Sequence, residues 1–322
     1  MSGAPINDLR PRLVLTSWPE VSCGRFLDLM RPPAAEESEL RRRLPDVAET
    51  AWATALGLTR WSSQQWSHDG VNDAEDRNAV ELLDRAAAGE RFRCVEYATV
   101  LAQSLNVTGI PARGVHALRD GYDRPVTGMG HVVVEAWIED LDRWVVLDPQ
   151  NEGYWCAGDQ PLGAVELWRR YRAGESRPEF RLVDGTLGDA DEADHWWLHW
   201  ADVGVGRSAL VDERGYAAIF QGRFVLGGRR RLLADPAQCY PKLSSVEISV
   251  TESGDGALGL NICANHPYAA GIRVDGGCYA TANAFHSLNL EPGEHTLTIA
   301  AATRWNRSAP NEVTYQVLDQ TG

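Results

Sequence analysis

Apolar positions recur at helical spacing over residues 36–60 and again over 75–88, where Val80, Leu82, Leu83 and Ala86 stand among charged neighbours and Gly89 is placed to end the helix. From Cys94 to Asn106, Tyr97, Ala98, Leu101 and Leu105 mark one buried helical face, and Gly109-Ile110-Pro111 stops its continuation. Cys94 is thereby expected to open a helix. Beyond Pro111 the pattern changes to short strands, 113–118, 131–139 and 144–148, with turn residues at Asp120-Gly121 and Gly128-Met129-Gly130. Residues 161–173 return to helical spacing, and 184–194 are rich in Asp and Gly.

From about residue 240 the chain reads as strands between turns: Val246–Val250, Gly256–Cys263, Gly271–Asp275, Ala284–Leu290 and Thr296–Ala302. Turn signals at Ser253-Gly254-Asp255-Gly256 and Glu291-Pro292-Gly293 punctuate them. The expected class is α+β: a core made of a helical layer and an antiparallel sheet over 1–200, connecting segments over 201–239, and an all-β, immunoglobulin-like or fibronectin-like sandwich over 240–322.

Composition narrows the function classes. The 322 residues exceed one ordinary core and suit two domains. A net charge of −14 opposes a phosphate backbone, so nucleic acid is not an expected partner. Arg229-Arg230-Arg231, beside Gly227-Gly228, reads as a solvated turn. With no leader-like start and no long apolar run, neither secretion nor membrane insertion is expected, and the protein reads as cytoplasmic. Its six cysteines, 23, 94, 156, 239, 263 and 278, include no CxxC pair, so they suggest neither a disulfide framework nor a zinc site.

Three segments concentrate the chemistry: Phe92-Arg-Cys94-Val-Glu96-Tyr97-Ala98, Gly130-His131-Val-Val-Val-Glu135-Ala-Trp137 and Trp144-Val-Val-Leu-Asp148-Pro149-Gln150. Together with Gly109-Ile-Pro-Ala-Arg113 they resemble the transglutaminase-like superfamily, whose core is papain-like, over roughly residues 60–170. The resemblance implies a triad: Cys94 as nucleophile at a helix start, His131 on the following strand, and Asp148 at the end of the next. A helix N-terminus favours thiolate over thiol. His131 would pair with that thiolate and return a proton to the leaving group, while Asp148 fixes the imidazole tautomer.

Two oxyanion donors are needed, the first being the Cys94 backbone N–H. By resemblance the second comes from Trp61-Ser-Ser-Gln-Gln-Trp66-Ser-His68, so Trp66 and Gln65 are candidate donors; His68 and Gln150 are candidate cleft residues. The implied substrate is a peptide, an amide or an acyl thioester, and neither metal nor cofactor is needed. Hydrolysis, amide-forming acyl transfer from a carrier protein's thioester, and an inactive binding module are all compatible with these residues.

Strand geometry gives a separate expectation. A hairpin turning symmetrically about Glu139 and Asp140 puts His131 directly opposite Asp148, and Glu135 opposite Trp144; a turn shifted to residues 140–143 instead puts Asp148 opposite Glu135 and His131 out of reach, and the sequence does not fix which turn forms. Other chemistry-bearing residues have plainer readings: His116 is a structural strand residue, Glu96 and Arg113 form an ion pair near the nucleophile, and Cys156 is a pocket wall or packing residue. His195 and His199, four apart among Trp196, Trp197 and Trp200, could share a helix face toward a metal, but no third ligand stands nearby. An aromatic packing segment between the two domains is the expectation there.

Overall fold

The computed structural model describes residues 12–19, 26–72, 74, 77–120, 129–206, 208–210, 231–253 and 257–318, and every count below refers to these. In chain order the strands and helices are β1 (Arg12–Ser17), α1 (Glu37–Arg43), α2 (Ala51–Ser63), α3 (Ala79–Ala87), α4 (Cys94–Thr108), β2 (Ala112–Leu118), β3 (Gly130–Ile138), β4 (Arg143–Asp148), β5 (Gly153–Ala157), β6 (Gln160–Pro161), α5 (Ala164–Arg172), β7 (Glu179–Leu182), α6 (Ala190–Trp197), β8 (Asp202–Val205), β9 (Ser208–Leu210) and β10 (Arg231–Leu233). There follow β11 (Val246–Glu252), β12 (Leu258–Ala264), β13 (Gly271–Val274), β14 (Gly277–Tyr279), β15 (Asn283–Ser287), β16 (Gly293–Ala302) and β17 (Asn311–Leu318).

The chain divides into two units, Cys23–Lys242 and a second made of Met1–Ser22 with Leu243–Gly322. These units are drawn differently from the expected limits of 1–200, 201–239 and 240–322. The segment expected to be a linker or connecting strands supplies β8, which pairs with β2, and β9 and β10 beyond it. The amino-terminal strand β1 pairs with β17, so it belongs to the second unit rather than the first. A six-residue strand carries no marker of which distant edge it will join; only the tertiary pairing decides that. Cys23, Arg229 and Arg230 lie outside the described residues.

In the larger unit α4 is the central element. Its residues Val95–Thr108 are all buried, and it packs on β3 and β2 as well as α2 and α3. Each fully buried leucine on it, such as Leu101 and Leu105, contributes roughly 1.5–3 kcal/mol. Gly109 closes the helix in the left-handed region at φ 94°, where a side chain would be strained. The single helix expected over 36–60 is broken into α1 and α2. Leu44, ahead of Pro45, is extended (ψ 150°), as steric pressure from a following proline requires.

The sheet of this unit runs β10-β9-β8-β2-β3-β4-β5-β6, with β7 also on β5. It is antiparallel except between β9 and β10. Helices packed on an antiparallel sheet give this unit the expected α+β class. Among the described residues no helix is long and apolar enough to cross a membrane.

The smaller unit is a β-sandwich: a five-stranded sheet β1-β17-β16-β13-β14 and a three-stranded sheet β11-β12-β15. Val246, Leu260 and Ile262 of the second sheet share one apolar cluster with Ile272, Ile299, Val313 and Tyr315 of the first. Alternate residues of β17 are buried, the period-two burial of a strand with one face on a core.

Candidate active site

Cys94 is the first residue of α4 and is partly exposed, whereas the helix behind it is enclosed. The first turn is held by Glu96. Its fully buried carboxylate accepts from the Arg93 N–H at 3.1 Å and the Ala74 N–H at 2.9 Å, and pairs with the Arg93 guanidinium at 3.3 Å. A carboxylate at a helix N-terminus also suits the helix dipole. The expected Glu96–Arg113 pair is therefore not formed.

Arg113 instead meets Glu135, directly opposite it across β2 and β3, with Nη2 to Oε2 at 2.9 Å. The Arg113 guanidinium lies over the rings of Trp144 (4.2 Å) and Tyr240 (4.4 Å), and donates to the Cys239 carbonyl. Sequence spacing could not rank these partners, because neither Glu96 nor Glu135 is a near neighbour of Arg113 in the chain and only the β2–β3 register brings one of them opposite it.

His131 sits near the start of β3, 4% exposed, and Asp148 ends β4, 1% exposed. His131 Nε2 and Asp148 Oδ2 are 2.7 Å apart. The register that achieves this differs from the expected one. The turn is the 3-10 segment Glu139–Leu141 followed by Asp142 at φ 52°, and the ladder pairs Trp137 with Trp144, Glu135 with Val146 and Val134 with Leu147. One step further, Asp148 falls opposite Val133 rather than His131. A two-residue shift keeps every side chain on its face, so His131 and Asp148 become diagonal neighbours within side-chain reach.

Asp148 is further satisfied by the backbone N–H groups of Gln150 and Asn151, both at 3.1 Å from Oδ1, and by the Asn151 amide at 2.8 Å from Oδ2. Burial pushes this carboxyl up, but the facing imidazolium and these donors prevail and hold it below the usual carboxylate range. Burial likewise opposes charge on His131, yet the facing Asp148 carboxylate and the hydrogen bond its ring donates to the Cys94 sulfur raise its pKa to about 10. With Nε2 engaged by Asp148, Nδ1 is the nitrogen left for the thiol. The structure thus brings Cys94, His131 and Asp148 together.

The accessory candidates are placed less uniformly. Trp66 is buried against Phe92 and Tyr97 (centroids 5.2 and 4.5 Å), and its Nε1 has no acceptor among the described residues. The Tyr97 hydroxyl donates to the Trp66 carbonyl at 2.7 Å, tying this loop to α4. Gln65 spends its amide within its own turn, donating to the Trp61 carbonyl at 2.7 Å. His68 lies at the surface, and desolvation followed by the charge of His131 lowers its pKa. Gln150 leaves its Oε1 buried without a partner among the described residues.

His116 is buried within β2 and Cys156 within the apolar core, as their plain readings expected. The expected inter-domain aromatic segment is something else. Residues 190–200 fold onto the larger unit through Ala193, Trp197 and Trp200, and set the Trp196 ring 4.2 Å from that of His131. No cluster of three His, Cys, Asp or Glu side chains suited to a metal occurs among the described residues. Asn151 and Trp196 are contacts that sequence reasoning missed. Asn151 follows Asp148 closely enough to have been weighed as an Asx-type donor; Trp196 had no local signal.

Residues 40–149 match the family model of the transglutaminase-like superfamily. That stretch contains Cys94, His131 and Asp148 in the order and setting just described. Residues 40–149 are a transglutaminase-like domain. Solved structures give a more distant likeness: a candidate cysteine protease from Cytophaga hutchinsonii is 15% identical, with 38% of this chain and 40% of that chain covered and a TM-score of 0.28. The match therefore spans well under half of that protein. No curated protein matches the chain at a significant level. The transglutaminase-like match ends before Asn151 and well before α6, so both lie outside the matched stretch.

Proposed function

We propose that the protein is a thiol-dependent enzyme that takes an acyl group from an amide through an acyl-cysteine intermediate. The observation that supports this reading best is the position of His131 between a buried, multiply hydrogen-bonded carboxylate and a partly exposed thiol at a helix start. In this reading Cys94 and His131 rest as a thiolate–imidazolium pair, with Asp148 stabilising the cation.

Attack by the Cys94 sulfur on the carbonyl carbon forms the C–S bond and moves an electron pair onto oxygen. Collapse of that adduct breaks the C–N bond, and His131 gives its Nδ1 proton to the departing amine. Water or an amine then attacks the thioester, losing its proton to His131, and the C–S bond breaks to restore the pair. The N–H of Cys94 is the first oxyanion donor in this reading, and Trp66, whose buried indole N–H has no acceptor among the described residues, is the candidate for the second. A thioester donor would enter the same cycle with a thiol as leaving group, so amide-forming transfer from a carrier shares every residue named here.

The test is alkylation by iodoacetamide near neutral pH, read by peptide mass spectrometry. Cys94 is expected to react at least about 10-fold faster than the other cysteines, and His131→Ala to remove the difference. Equal reactivity of all six would leave a binding module with a papain-like core. Intact-mass trapping with peptide and acyl-thioester probes, against Cys94→Ala, then identifies the donor class.

A further inference from the structure

We propose that Trp196, which stands on a helix beyond the transglutaminase-like match, is a positioning residue for the catalytic imidazolium: its indole face holds His131 in the orientation that serves Cys94. The inference rests on the function proposed above but is tested separately from it.

The rings of Trp196 and His131 have centroids 4.2 Å apart at an interplanar angle of 32°, which places the imidazole over the indole face rather than at its edge. A cation above an indole face is attracted by the ring quadrupole, and tryptophan is the strongest of the aromatic side chains in this role. A neutral imidazole gains much less. The contact therefore favours the protonated state and restrains the ring against rotation about its bond to the backbone.

Helix α6 does not need Trp196 as its anchor. Ala193, Trp197 and Trp200 are all buried in the core, with Trp197 against Trp155 (5.9 Å) and Tyr171 (5.5 Å). Trp196 is only partly buried at the rim of that core, and its ring is shared among imidazoles: His131, His195 at 4.8 Å and His199 at 5.2 Å. His199 is itself held by its Nδ1–H, which donates to the His195 carbonyl at 3.2 Å. The aromatic wall over His131 is thus built on a fixed frame.

The groups that face His131 are the Cys94 thiol from α4, the Asp148 carboxylate from β4, the His68 imidazole from the loop after α2 and the His199 imidazole after α6 (ring centroids 6.2 Å). Asp148 supplies the attraction, and charge on His68 couples to His131 in the opposite sense. Trp196 adds to Asp148 from the ring face, a direction no carboxylate occupies.

The experiment is an NMR titration of the His131 ring in the full chain, alongside the pH profile of Cys94 alkylation. Trp196→Met keeps apolar bulk but removes the π face; it is expected to lower the His131 pKa by about one unit, with Trp196→Phe intermediate. The alkaline limb of Cys94 reactivity should move by the same amount. An unchanged His131 pKa in folded Trp196→Met overturns the proposal. Should that variant not fold, Trp196→Phe decides: a fall of a few tenths of a unit supports the proposal and no change overturns it. A wild-type Cys94 without enhanced reactivity would instead defeat the enzymatic reading, while the His131 titration would still report on the ring contact.

Discussion

Strand β3 carries two buried charged side chains four residues apart, and the molecule treats them differently. At Glu135 the partner is Arg113, fully buried, sandwiched between two aromatic rings and backed by a backbone carbonyl. At His131 the partners are a carboxylate behind and a partly exposed thiol in front. An arginine does not release its proton in the accessible pH range, so the Arg113–Glu135 pair is fixed structure. An imidazole can, so the same burial at His131 creates a group able to move a proton. Burial and pairing alone do not distinguish scaffold from chemistry; the titratable partner and the neighbouring nucleophile do.

The sharpest way to break this contrast is Asp148→Asn. It removes the charge that outweighs burial, so the His131 pKa should fall from about 10 toward or below its ordinary value of 6.5. The thiolate–imidazolium pair then loses its cation near neutral pH, and acyl-transfer turnover should drop by roughly 10²–10⁴-fold, measured against wild type with the same trapped donor. Stability near neutral pH should fall too, because the raised folded-state pKa of His131 is lost with that charge.

Arg113→Met should cost stability and leave the nucleophile alone. It leaves Glu135 buried and unpaired, and urea unfolding should show a loss of about 3–5 kcal/mol. Cys94 alkylation in the remaining folded protein should keep its rate.

A third comparison uses pH. The folded pKa of His131 lies above the unfolded one, so its stabilising contribution is complete below about pH 6.5 and is lost as pH rises toward about 10. Between pH 7 and 8 urea unfolding should lose up to about 1.4 kcal/mol per pH unit, and His131→Gln should flatten that slope. The smallest effect is expected from Glu96→Gln, about 1–3 kcal/mol, with a few-fold fall in Cys94 alkylation as the first turn of α4 loosens.

The two pairs also mark what could be read from the chain. Cys94 at a helix start followed from the apolar spacing behind it and from Gly109, and the faces of β3 and β4 followed from alternation. The register did not follow, since the turn at 139–142 is set by a 3-10 segment and a left-handed Asp142 that no glycine announced. Parity protected the inference: a shift of two residues leaves His131 and Asp148 on one face. Arg113 choosing Glu135 over Glu96, β1 joining β17, and Trp196 reaching His131 are all contacts between segments distant in number or in orientation, where local pattern is silent.

The central claim is that Cys94, His131 and Asp148 act as one nucleophilic unit, and the rate of Cys94 carboxamidomethylation near neutral pH tests it most directly. Wild-type protein should label Cys94 first among its six cysteines, and both His131→Ala and Asp148→Asn should slow that labelling to the rate of an ordinary surface thiol such as Cys278. A Cys94 that labels no faster than Cys278 in wild type, or whose rate is unmoved by either substitution, would contradict it.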